Sequence, residues 1–187
     1  MGRLKGTPYE SCCFYEHGEL DKVQYTDVPE PQIGPDEVLL EVKAAALNRL
    51  DLWVLAGWPG LNLKLPHIMG SDGRAWWPRW GANVSNVAVG DCVAVNPSLG
   101  SDSDYFGQRG FDNMSDNFAI LGEHVDGFFA EYAAVPARNL LKMPDEADFI
   151  SAAPPLRWCT LPPGTRLLPE AVCRLAKRCW LWALGAA

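Results

Sequence analysis

Glycine and proline break the chain from Phe14 to about Asp145 into short apolar segments, and this punctuation limits the fold more than any other feature. Pro29-Glu30-Pro31-Gln32-Ile33-Gly34-Pro35 reads as a rigid turn, because proline fixes φ and glycine releases it. Val23-Gln24-Tyr25-Thr26-Asp27-Val28 alternates before it, and residues 37–44 follow as a half-buried strand. Residues 48–57, from Asn48 to Gly57, predict a short helix closed by a glycine. Gly90-Asp91 forms a turn between the apolar runs of residues 87–95, residues 127–135 read as a further strand, and residues 139–144 as an edge segment ending in proline. Many short strands with this punctuation favour a small barrel over a βαβ sheet.

At 187 residues, 48% hydrophobic and 21% charged, the chain has room for one core and is not a disordered tail. Its net charge of −7 comes from scattered acids, which disfavours nucleic acid or an anionic membrane as partner. No apolar run approaches the length of a membrane span, and the start has no signal-peptide pattern. Six cysteines without a disulfide-framework spacing fit a soluble, cytoplasmic protein.

Three sets of residues resemble one family. They are Val28-Pro29-Glu30-Pro31 with Gly34-Pro35-Asp36-Glu37-Val38-Leu39; Lys43-Ala44-Ala45-Ala46-Leu47-Asn48 with Asp51; and Leu65-Pro66-His67-Ile68-Met69-Gly70-Ser71-Asp72-Gly73, followed by Val89-Gly90-Asp91-Cys92-Val93 and Gly127-Phe128-Phe129-Ala130-Glu131-Tyr132. Their order and spacing are similar to the opening of the medium-chain dehydrogenases, alcohol dehydrogenase-like and quinone oxidoreductase-like, over about two thirds of the chain. The resemblance implies a mainly β, GroES-like, partly open barrel with short helices at residues 14–150. A linker at 151–160 would lead to a Rossmann domain missing here, and 161–187 would be an aberrant tail. It implies NAD(P) as cofactor, hydride transfer to or from a small-molecule carbonyl, enone or quinone, and a homo-oligomer in the full-length family. The chain as given is expected to be inactive, since it holds no G-x-G-x-x-G turn.

Zinc members of that family carry a cysteine where this chain has Asn48 and a histidine where it has Ser71, and neither replacement is a soft ligand. A structural zinc lobe would fall within residues 97–117, where no cysteine occurs. No zinc is therefore expected, and the metal-free quinone-reductase branch is the similar one. The resemblance implies Asn48, Asp51, Ser71 and Asp72 as catalytic candidates, Asn48 and Thr160 as cofactor contacts, and Trp53 or Trp58 as cleft lining. Each has a plainer role: Asn48 as a helix cap, Asp51 as a solvated or paired acid, Ser71 and Asp72 as turn supports, His67 as a packed loop histidine, the Glu123-His124 pair as loop residues, Cys92 as a buried hydrophobe. The alternatives to the whole reading are a zinc-type alcohol dehydrogenase fragment and a stand-alone co-chaperonin-like binding module.

Three stretches differ in composition from the rest: residues 9–14, residues 74–81 with Trp76, Trp77 and Trp80, and residues 163–185. Written as codons and read in a shifted frame, each yields text resembling the family, such as Met-Lys-Ala-Val-Val for the first. Translation in the wrong frame is one account of them, and a genuine Trp- and Cys-rich sequence is the other. Under the first, Pro78 and the large rings disrupt a strand slot, and residues 161–187 do not dock on the barrel.

Overall fold

The structure, a computed structural model, describes residues 8–85, 93–101 and 103–143. The Gly90–Asp91 turn, Cys92, Thr160 and the tail expected to stay undocked lie outside the described residues.

The first sheet holds β1 (Tyr9–Phe14), β2 (Val23–Val28) and β4 (His67–Ile68) in the order β2-β1-β4. The second holds β3 (Glu37–Ala46), β5 (Asp72–Trp80), β6 (Val93–Val95), β9 (Tyr132–Pro136) and β10 (Leu140–Lys142) in the order β10-β6-β5-β3-β9. β7 (Ser98–Leu99) and β8 (Ala119–Ile120) make a small third sheet, and α1 (Arg49–Ala56) is the one α-helix among the described residues. The fold is mainly β, as expected, and among the described residues no sheet closes into a ring. The core lies between the two larger sheets, where Phe14, Leu40, Val38, Val93, Val135 and Phe128 are wholly buried.

Two expectations need correcting. The strand expected at 127–135 begins only at Tyr132. Phe128 and Phe129 donate their N–H groups to the carbonyls of Gly70 and Met69 (2.9 and 3.0 Å), and the Phe129 carbonyl accepts from Cys12 (2.7 Å), so this stretch stitches the two sheets together instead. Nor does the tryptophan- and proline-rich stretch break its slot, because it forms most of β5, paired along β3 on one side and at Arg74 and Ala75 with β6 on the other. Ala46↔Asp72 through Ala44↔Arg74 run in one register. Lys43 is then extra on β3, and Val42↔Ala75 and Glu41↔Trp76 are offset by one. Opposite Leu40, β5 carries both Trp77 and Pro78, after which Leu39↔Arg79 and Val38↔Trp80 return to the starting register. Proline, which has no N–H to give a ladder, is tolerated at such a bulge.

β1 is the other stretch of unusual composition. Its Tyr9, Ser11, Cys12, Cys13 and Phe14 are buried, and its register with β2 is unbroken from Tyr9↔Val28 to Phe14↔Val23. Tyrosine, cysteine and phenylalanine suit a half-buried pleated surface whatever the origin of the segment.

Candidate active site

The site is built where the end of β3 turns into α1 and faces the start of β5. Asn48 has extended backbone and caps α1: its Oδ1 accepts the Leu50 N–H at 3.1 Å. Asp51 completes the motif from inside the first turn, its Oδ2 accepting the Asn48 N–H at 2.7 Å. Gly57 closes the helix, its N–H reaching the Trp53 carbonyl at 2.8 Å. Across the gap, Asn48 Nδ2 donates to Asp72 Oδ2 at 3.3 Å. Asn48 is therefore both a helix cap and a link between two candidate residues, so the two roles do not compete.

Burial separates the candidates. Asp51 is fully buried and Ser71 nearly so, while Asn48 and Asp72 are partly exposed. Asp51 Oδ1 and Ser71 Oγ have no hydrogen-bond partner among the described residues. Burial pushes the Asp51 carboxyl up to about 8, helped by the Asp72 charge and opposed by hydrogen bonds from the Asn48 and Gly70 backbone. Asp72 is also raised by burial, against the pull of its Asn48 hydrogen bond. The plainer role of Asp51 as a solvated acid is corrected: it is a buried acid that fixes Asn48 from behind. The Asn-x-x-Asp spacing carried that signal, since it is the sequence form of a capping box.

The turn that presents Ser71 and Asp72 begins at Gly70, with φ +101° and the Phe129 ring 2.5 Å from where a Cβ would lie. Only glycine fits there without strain. His67, ahead of this turn, is packed as expected but lies in β4 rather than in a loop, whereas Glu123 and His124 form a loose pair at 3.6 Å. Trp53 is 58% exposed on the outer face of α1 and Trp58 is 39% exposed.

Neither metal position suits zinc. Asn48 offers a neutral amide and Ser71 a hydroxyl, and among the described residues no three His, Cys, Asp or Glu side chains are grouped to hold a metal. In the 97–117 lobe a carboxylate takes the central place: Asp104 accepts the Gly107 N–H at 2.6 Å and the Ser115 hydroxyl, whose oxygen accepts the Ser101 N–H at 3.1 Å. Asn48 gives one N–H to Asp72, and its side chain accepts from the Leu50 N–H and, in the capping box, from the Asp51 backbone. One N–H of a partly exposed amide is left without a described partner, and a carbonyl oxygen such as that of a nicotinamide carboxamide would fit it.

The alcohol dehydrogenase GroES-like domain matches residues 34–145. The chain belongs to that family. It is 38% identical over 120 residues to the L-threonine 3-dehydrogenase of Pyrococcus horikoshii, covering 63% of this chain and 34% of that protein. Among solved structures it is similar to an NAD-dependent alcohol dehydrogenase (TM-score 0.72, 38% identity, 77% of this chain and 42% of that one). It is also similar to a cobalt- and zinc-bound thermostable alcohol dehydrogenase from Pyrobaculum aerophilum (TM-score 0.70, 32% identity, 79% and 44%). The chain thus spans well under half the length of these relatives. No described helix of this GroES-like domain is long and apolar enough to cross a membrane.

Proposed function

We propose that this domain is the substrate-side half of an NAD(P)-dependent, zinc-free oxidoreductase acting on a small carbonyl, enone or quinone. The observation that carries the reading is the Asp51–Asn48–Asp72 chain of hydrogen bonds, which holds a partly exposed amide and a partly exposed carboxyl together, with no metal-holding group of His, Cys, Asp or Glu among the described residues. When bound, the nicotinamide supplies or accepts the hydride. Asn48 orients its carboxamide, Asp51 stiffens Asn48 through the backbone, and Asp72, itself raised in pKa by burial, is the group placed to hold or pass a proton at the acceptor oxygen. Ser71 supports the turn, and Thr160 would meet the cofactor from the linker. A cytoplasmic, homo-oligomeric protein with the boundaries 14–150, 151–160 and 161–187 belongs to the same reading. The Pyrobaculum relative binds cobalt and zinc; the oxygen and amide groups here argue for a different branch.

Titrating the ¹⁵N-labelled chain with reduced nicotinamide mononucleotide tests it, since this probe lacks the adenylate half that a Rossmann domain holds. Shifts are expected at the amides of Asn48, Ser71 and Asp72, and are expected to vanish in Asn48→Ala. Metal analysis after dialysis against chelator is expected to find well below one zinc per chain. Stoichiometric zinc, or no site shifts at saturating probe, would favour the zinc-type dehydrogenase or the co-chaperonin-like module instead.

A further inference from the structure

Three glycines pack backbone against backbone behind the site. A Cβ on Gly122 would lie 2.5 Å from the Gly70 carbonyl carbon and oxygen, and one on Gly127 would lie 2.2 Å from the Gly70 oxygen. With no side chain to cushion the seam, a shift of the 121–127 loop has to be passed to the Gly70 turn, and so to Ser71, Asp72 and the Asn48 bond. The loop is fastened on by Gly127 N–H to the Ile68 carbonyl (2.8 Å), Phe128 N–H to the Gly70 carbonyl (2.9 Å), and Ile68 N–H to Asp126 Oδ1 (3.0 Å).

One buried side chain spans this seam. His67 places Nε2 3.2 Å from the Gly122 carbonyl and Nδ1 3.6 Å from Asp126 Oδ1, with Phe14 against its ring at 5.5 Å. In the neutral ring Nε2–H donates to Gly122, so Nδ1 turns a lone pair toward a carboxylate, a contact that gains nothing until a second proton arrives. The geometry points to His67 as a positioning residue: its imidazole latches the 121–127 loop to the Gly70 turn, so that its protonation state is transmitted to Asp72 and Asn48.

The surrounding charges set the direction. Burial holds the imidazole below the ordinary histidine range. The Gly122 carbonyl and Asp126 pull it back up, and His17 from the β1–β2 connection and His124 from the loop push it further down. His17 is itself engaged, its Nδ1 lying 3.1 Å from the Val54 carbonyl, and Glu123 pairs with His124. His67 is therefore neutral near pH 7 and takes its second proton only below the ordinary histidine range, when Nδ1–H closes on Asp126 and draws the loop tighter onto Gly70.

The inference rests on Asn48 and Asp72 being the site, but its test reads structure rather than cofactor binding, so the two fail separately. The full chain, labelled with ¹⁵N and with ¹³C in its histidines, is titrated by NMR from pH 8 to 4.5. The amides of Gly122, Gly70 and Asp72 and the Asn48 side-chain amide are expected to show an inflection at the same midpoint as the His67 ring. Asp126→Asn keeps an acceptor for Ile68 but removes the charge, and is expected to lower both midpoints together by about half a unit. His67→Gln keeps a donor for Gly122 and is expected to lose the site inflection. Site amides that ignore the His67 midpoint, or that keep an inflection there in His67→Gln, overturn the proposal. If that variant does not fold, the Asp126→Asn titration decides alone, because midpoints that move apart are equally fatal.

Discussion

Gly70→Ala is expected to remove roughly 2–5 kcal/mol of stability, much of what a domain of this size has to lose. Two independent costs add. At φ +101° an L side chain is strained by about 1–2 kcal/mol, and the new methyl would meet the Phe129 ring at 2.5 Å, an overpacking costing on the order of 1–3 kcal/mol. Gly60 separates the terms, since its φ is +97° but nothing lies within 4 Å of its would-be Cβ. Urea denaturation should show Gly60→Ala losing the backbone part only. Equal losses in the two variants would mean that the Phe129 ring swings aside and that the seam behind the site is softer than the geometry states.

The second large effect is the pH dependence carried by Asp51. Its folded pKa is raised, to about 8 from an ordinary 3.8, so folding favours the protonated form. The contribution is fully present below about pH 4 and is lost as pH rises toward 8, and linkage puts the change at several kcal/mol. Wild type minus Asp51→Asn stability, measured by denaturation from pH 4.5 to 8.5, should therefore fall steadily across that window. Asp72 adds a smaller slope of the same sign, and it stays in the variant. His67 acts oppositely, because its pKa is lowered: its contribution is present above about 6.5 and lost in acid, so it steepens the acid limb in both proteins and cancels in the difference. A flat difference curve would mean that Asp51 is ionised in place.

Local signals were legible and long-range ones were not. Asn48 and Gly57 marked the ends of α1 because caps are chosen by chemistry within a few residues. The edge segment was read at 139–144, and β10 indeed lies at the edge of the larger sheet. The late start of β9 was invisible, since the backbone groups of Phe128 and Phe129 are spent on Met69, Gly70 and Cys12, far away in sequence. Asn48, Asp51 and Asp72 are joined by hydrogen bonds, yet the burial that makes Asp51 a support rather than an exposed acid depends on packing. His67 read correctly as packed, while its partner Gly122 is separated from it by 55 positions. Pro78 read as a strand breaker because a lone segment cannot reveal that its own strand bulges there, with Trp77 and Pro78 sharing the place opposite Leu40.

The paired irregularities between β3 and β5 have a consequence for how the site tolerates change. One residue too many on β3 at Lys43 is answered by one too many on β5 at Trp77 and Pro78, so the pairs at both ends share one register. What Asp72 inherits from the far end of its strand is thus a length and not a spelling. Any passage of equal residue number, however foreign its side chains, delivers the carboxyl to the same face, and its misfit is felt as lost stability rather than as a misplaced acid. A single deletion between residues 73 and 80 is different in kind, because with a period of two it turns the strand over on one side of the gap.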